Sequence, residues 1–401
     1  MEHKQTLLEY MDEAYSEMRH TLPFKSVREF ISDDDSCANF IRAILHDEEY
    51  SIPKKESSLY EFSKARARHA VIMFLIGIAF SRFEGLEEHI LKTVKHKEDP
   101  DCAETRHKDF LRLWMLTSLY HDYGYYSAYL EQEDAVFPKL VRFYLFDEDY
   151  PDSWLRPVCR FSEKYPAAMA FSYSEILAYD KYSREYHKSA FAKNPEENRE
   201  RVDHGILGGV LIFDRLLKAI LKQNVNSQAK EMIAAKVSCI TIAQHNIYWS
   251  TSADQDIKYG KELQKLYHNS AFRISRDTPL LLLLCLVDTF ECIKRFGKGE
   301  VGKGALTTIT VLSKIEIDFP DSFLIFDYSK LESHIEKSTQ KSERDKLKEL
   351  YTNYIKVLCN LASWTQWSAI SEGSIVRISL GNGQEDYIAA TKNKAEGLQY
   401  V

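Results

Sequence analysis

The chain has 401 residues, of which 44% are hydrophobic and 28% charged, with only 10 Pro and 15 Gly. This excludes a disordered or collagen-like polymer and predicts well-buried cores, in about two to three domains or one large helical domain with appendages. The 60 acidic and 53 basic residues leave a net charge of -7, which disfavours a long, sequence-blind nucleic-acid groove but allows a local basic patch.

The 7 cysteines are odd in number and form no CxxC pair, the pattern of reduced structural thiols in a cytoplasm. Met1 to His20 is charged and has no apolar core, so it does not read as a secretory signal. The runs Val71–Phe80 and Leu280–Val287 fall short of the ~20 residues that span a bilayer and are expected to be buried helices.

Along the chain, residues 1–58 read as an acidic helical segment, with Asp33-Asp34-Asp35 and Asp47-Glu48-Glu49 at solvated helix ends or loops. From Tyr60 to Phe296 the pattern is long helices. Leu111, Leu113, Trp114, Leu116, Leu119 and Tyr120 recur at helical spacing. Residues 131–193 are aromatic and punctuated by Pro, consistent with short helices and loops over a site. A helix follows from about Asp203 to Lys222, preceded by the helix-start residues Asn194-Pro195-Glu196-Glu197.

The pattern changes after Gly297. Lys314–Phe319 alternates with period two, Pro320-Asp321 marks a turn, and Phe323–Phe326 follows. Lys330–Leu361 is amphipathic and predicts one surface helix, and Ile375–Leu380 alternates up to the hairpin signal Gly381-Asn382-Gly383. The expected architecture is mostly α, with a helical body over 59–297 and a small α+β region over 298–401 that is a candidate surface for oligomer or partner docking.

The sharpest chemical feature is His121-Asp122, closing an apolar helix and followed by Tyr123-Gly124. Neighbouring helical residues point about 100° apart, so both can face one site only where the helix ends, and Gly124 is the expected stop. His69 opens the run to Phe80, His204 lies in Asp203-His204-Gly205-Ile206-Leu207-Gly208-Gly209, His245 follows Gln244, and Asp288 closes the run Leu280–Val287. Each stands in or beside sequence that argues for burial, where a carboxylate or imidazole is costly unless paired, hydrogen-bonded or bound to metal. Imidazole with carboxylate suits iron, manganese, zinc or nickel. His89, His96 and His107 compete with His69, which is preferred because an apolar helix follows it.

The order His69, His121-Asp122, His204, His245, Asp288 resembles the HD-domain superfamily of metal-dependent phosphohydrolases, over about Tyr60 to Phe296. The flanking text matches too: an Arg-containing stretch before the first His, Gly-rich residues after the third, and a Leu-rich helix ending in the last Asp. Tyr125 stands where many members carry Lys, and the Gly-Tyr-Pro signature of one subgroup is absent. The resemblance implies an HD-type helical bundle and two divalent cations (Fe, Mn, Ni, Zn or Mg). His69, His121, Asp122 and Asp288 would hold one and Asp122, His204 and His245 the other, with His121 and Asp122 the catalytic pair. It implies hydrolysis of a nucleotide or other phosphoester in a cytoplasmic enzyme with no membrane partner. The same ligand order resembles myo-inositol oxygenase and its relatives, whose di-iron centre activates dioxygen. A third reading is a non-catalytic nucleotide sensor or scaffold.

Asp203, Gln244 and Lys294 are expected to contact substrate or orient a ligand through adjacency, with Arg66, Arg68, Lys108, Tyr123, Tyr125, Arg201 and Arg295 weaker candidates. Gly297–Gly304 fits GxGxxG and nearly a P-loop, but it follows a helix and has Gly304 where the P-loop needs Ser or Thr, so it reads as a linker. No GxSxG elbow is present, which disfavours a serine hydrolase.

Overall fold

Helix α1, Leu7–Met18, starts at a reciprocal cap in which Thr6 N donates to Glu9 Oε2 at 2.6 Å and Glu9 N donates to Thr6 Oγ1 at 3.3 Å. It buries Leu7, Leu8, Met11, Ala14, Tyr15 and Met18, the spacing of one helical face. The computed structural model describes residues 5–18, 22–46, 64–81, 86–94, 103–124, 225–245, 279–291, 308–318, 323–337, 341–342, 344–352, 375–379, 385–391 and 394–395, with positions 205, 208, 209, 212, 213, 216 and 220. The segment 131–193, the helix start at 194–197 and the glycine stretch 297–304 lie outside them.

Among the described residues the protein is mostly helical. After α1 come α2 (Val27–Phe30), α3 (Asp34–His46), α4 (Lys64–Ser81), α5 (Leu86–Val94), α6 (Ala103–Tyr120), α7 (Val225–Gln244), α8 (Pro279–Phe290), α9 (Thr308–Leu312) and α10 (Ser329–Glu336). The chain divides into two compact units, residues 1–89 with 274–401, and residues 90–273. The boundaries expected at 58 and 297 fall inside the first unit, because the N-terminal helices and the C-terminal sheet pack into it together.

In the first unit α4 is the central helix. Its residues from Ala70 to Phe80 are apolar around the circumference, and α1, α3 and α8 all pack against it. Phe80 meets Phe290 of α8 edge-on, with ring centroids 6.1 Å apart. The acidic N-terminal helices carry an aromatic core: Phe30 and Phe40 stack at 4.1 Å, and Tyr15 lies edge-on to Phe30 at 5.1 Å. Asp33 is an exposed helix start, as expected. It accepts the Ser36 backbone N–H at 2.8 Å and the Ser36 hydroxyl at 2.7 Å, which hold its carboxyl below the ordinary value of 3.8. Asp47-Glu48-Glu49 lies outside the described residues.

The same unit holds a sheet in the order β1 (Gln5–Thr6), β2 (Glu316–Asp318), β3 (Phe323–Asp327), β4 (Ile375–Ser379), β5 (Glu385–Thr391) and β6 (Lys394–Ala395). The β2–β3 and β4–β5 pairs are antiparallel and flank the two expected turn signals, which lie outside the described residues, whereas β3 and β4 run parallel, which needs a crossover. The first strand carries no sequence signal. Gln5 pairs with Ile317 and Thr6 with Glu316. The single surface helix expected over Lys330–Leu361 is instead α10, ending at Glu336, and a separate helical stretch at 344–352. Leu331 and Ile335 bury one face of α10, and the polar run Lys337-Ser338-Thr339-Gln340 supplies no apolar residue to extend it.

The second unit pairs α6 with α7. The Arg112 guanidinium grips the Glu231 carboxylate through both terminal nitrogens, tying the two helices together. Positions 205, 208, 209, 212, 213, 216 and 220 are helical and buried, at the spacing of one face, while Ile206, Leu207, Val210, Leu211 and Leu217 lie outside the described residues. No single helix among the described residues is long and apolar enough to cross a membrane. Cys37, Cys239 and Cys285 are buried thiols outside any disulfide, and burial pushes the Cys37 thiol up to about 12.

Candidate metal centre

Helix α6 ends at Tyr120, and His121 and Asp122 occupy the turn that follows. The expectation that this pair needs a helix end is met, but the stop precedes Gly124, which returns with Tyr123 to helical conformation. The helix ends on its own histidine. His121 Nδ1 lies 2.7 Å from the Ser118 carbonyl oxygen, one of the acceptors a helix C-terminus leaves without a backbone partner.

His245 repeats this device one residue beyond α7, where its Nδ1 lies 2.6 Å from the Ile242 carbonyl oxygen. A carbonyl can only accept, so Nδ1 carries the proton in both rings and Nε2 keeps the lone pair. The rings meet edge-on with centroids 5.3 Å apart, and His121 Nε2 stands 3.4 Å from Asp122 Oδ1. Ligand atoms of His121, Asp122 and His245 all lie within 4.8 Å of one another, and all three residues are buried. Two donors each about 2.1 Å from one ion and about 90–110° apart are separated by about 3.0–3.4 Å, a spacing that the His121–Asp122 pair meets. The negative ends of two helix dipoles at this point favour positive charge as well.

The close approach of these elements depends on glycine. A Cβ built on Gly208 would lie 3.0 Å from the backbone N of Gly124 and 3.6 Å from Ile242 Cγ2. Any larger residue at 208 would press on the backbone of the His121-Asp122 turn. The Gly-rich text after the third expected histidine thus has a packing role. Inside α6, Thr117 and Ser118 donate their hydroxyls to the Leu113 and Trp114 carbonyls at 2.8 and 2.7 Å, which satisfies them within an apolar helix.

In the first unit, His69 sits in the buried part of α4 and Asp288 in the last turn of α8. Their ligand atoms, His69 Nε2 and Asp288 Oδ1, lie 3.2 Å apart, again the spacing that a shared cation needs. His69 Nδ1 lies 2.7 Å from Glu291 Oε2, a carboxylate whose side chain is 0% exposed. Sequence reasoning missed Glu291. The signal was its position one helical turn after Asp288, on the same face. Burying two carboxylates at the end of an apolar helix costs several kcal/mol unless positive charge compensates, and a histidine–cation pair does so.

His204, Asp203 and Lys294 lie outside the described residues, as do Tyr125, Arg201, Arg295 and His96, and Gln244 is described only as the last residue of α7. Lys108 is exposed on α6, about 20 Å along the helix from His121 at 1.5 Å per residue, too far to serve that site. Arg68, one of the weaker candidates, pairs with Asp34 at 3.0 Å and donates to Thr308 Oγ1 at 3.2 Å, tying α4 to α3 and α9. Tyr123 is buried edge-on to Tyr120. Among the described residues, His89 and His107 join no group of potential ligands, and His107 stacks on Phe110.

No family model matches the chain, and no curated protein or solved structure matches it.

Proposed function

We propose that this chain is a metal-dependent phosphohydrolase or phosphodiesterase of the HD type, acting on a nucleotide-type phosphoester through His69, His121, Asp122, His204, His245 and Asp288. The carrying observation is that three histidines, each tied down at Nδ1, present Nε2 within 3.4 Å of a carboxylate or within a ligand group of 4.8 Å. The reading of one six-ligand centre rests on the ligand order along the chain, and the clusters of each unit support it separately.

Two divalent cations of the Fe, Mn, Ni, Zn or Mg type would supply a polarised water and a clamp on the phosphoryl oxygens of an in-line displacement. The chain's own residues do the rest. The Ser118 and Ile242 carbonyls fix the tautomers of His121 and His245, Asp122 provides carboxylate oxygens for bridging, and burial of all three ligands excludes bulk water. The net charge of -7 favours a compact phosphoester over a long polyanion.

The test is reconstitution of chelator-stripped protein with each metal under anaerobic conditions, measuring bound metal and hydrolysis of bis(p-nitrophenyl) phosphate. Two ions per chain and metal-dependent hydrolysis are expected. Oxygen consumption on a polyol with iron, without hydrolysis in any metal, would replace this reading with a di-iron oxygenase. Nucleotide binding without turnover would replace it with a sensor.

A further inference from the structure

His69 differs from the other two described histidines in what holds it. His121 and His245 lean on backbone carbonyls of their own helices, whereas the Nδ1 of His69 meets a buried carboxylate 222 residues away in the chain. Glu291 is placed there by continuation of α8: its backbone N donates to the Val287 carbonyl at 2.9 Å. Asp288 and Glu291 therefore stand one turn apart and take the imidazole of His69 by its two nitrogens, at 3.2 Å from Nε2 and 2.7 Å from Nδ1.

We infer that Glu291 is a positioning residue for metal binding, holding His69 in the tautomer and orientation that present Nε2 beside Asp288. At 2.7 Å a Glu291 carboxylate oxygen accepts the Nδ1 proton, which in a neutral ring leaves the Nε2 lone pair for a cation shared with Asp288. A charged acceptor behind a ligand imidazole also makes the ring a stronger donor, which a backbone carbonyl does less well. Glu291 acts through the His69 ring. The inference rests on the metal-binding reading of His69 and Asp288 and is independent of which reaction the centre performs.

The experiment is cobalt(II) titration of the full chain, read by visible absorption and by the exchangeable, hyperfine-shifted Nδ1–H proton signals of bound imidazoles. Glu291→Gln keeps the shape and an acceptor oxygen but removes the charge. It is expected to weaken cobalt binding about 10–100-fold and to speed solvent exchange of one Nδ1–H signal. Glu291→Asp, which keeps the charge on a shorter arm, is expected to recover part of the affinity. In a His69→Gln background, Glu291→Gln is expected to cause no further loss, because the effect runs through the ring.

Cobalt affinity of Glu291→Gln within twofold of the parent would overturn the inference and leave the metal reading standing. An Asp variant no better than Gln, or an additive loss in the His69→Gln background, would overturn it too, since either reduces Glu291 to a structural contact. A parent protein that binds no cobalt would overturn the metal reading and this inference with it.

Discussion

The two units anchor their histidines by different means. In residues 90–273, His121 and His245 each cap the helix that carries them, so ring orientation is decided within a single turn of local chain. In the unit formed by 1–89 and 274–401, the ring of His69 is oriented by Glu291, a residue from the far side of the sequence. A locally capped ring is in place as soon as its helix forms, whereas a remotely held ring waits for tertiary packing of α4 against α8. The first arrangement is robust to packing errors elsewhere. The second couples a ligand to the core of its unit.

Removing a ligand should produce the largest effect. Asp122→Ala is expected to lose bound metal and at least ~100-fold in turnover, because a metal site supplies several kcal/mol of charge stabilisation and each 1.36 kcal/mol is tenfold. Metal analysis and phosphodiester hydrolysis read both, and parental turnover in this variant would break the site assignment.

Next comes Gly208→Ala. An Ala for Gly exchange inside a helix ordinarily gains up to about 1 kcal/mol. Here the added Cβ would sit 3.0 Å from the Gly124 backbone, so a loss of about 1–3 kcal/mol is expected instead. Thermal unfolding gives the sign, and weakened cobalt binding would show that the His121-Asp122 turn has shifted. A stabilised variant with parental affinity would mean that the local anchoring does not depend on this approach.

Arg112→Met leaves the partly buried Glu231 without its bidentate partner, at an expected cost of about 1–3 kcal/mol in denaturant unfolding. Adding Glu231→Met should recover most of it, because an apolar pair of similar volume is often neutral. If the cost persists in the double variant, the ion pair does more than hold α6 to α7.

The smallest expected change is Asp33→Ala, which removes the cap of α3 and should cost about 1 kcal/mol, or about 2–4 °C in melting temperature, with metal affinity unchanged. The sign with pH follows from a carboxyl held low in the folded state. Its contribution is present above the ordinary value of 3.8 and is lost as pH falls through the lowered one, so parent and variant should converge in acid.

Much of this was legible in one dimension. A His-Asp pair closing an apolar helix, an Asp closing a Leu run, and alternation up to Pro320-Asp321 with an apolar run beyond it are local patterns, and the structure has each as a local feature. The features that escaped depend on remote partners. Glu291 looks like an ordinary polar residue past a helix end until His69 is beside it. Gly124 and Gly208 stand out locally, but nothing in either stretch says that the two backbones meet. Strand β1 is two residues long, too short to carry a period, and exists because β2 offers it an edge. The break after Glu336 escaped because the charged residues beyond it keep an amphipathic look.

The pairing of Gln5 with Ile317 sets an order of events during synthesis. Residues 90–273 emerge as one uninterrupted stretch and can complete their own contacts while the remainder of the chain is still being made. The earlier-made α4 cannot. It leaves the ribosome with an apolar circumference and only α1 and α3 to cover it, and the α8 face stays bare until the whole intervening stretch has been translated. Nascent chains paused in that interval expose a sticky helix, and slow translation or scarce chaperones should lower the yield of folded protein through this one interval.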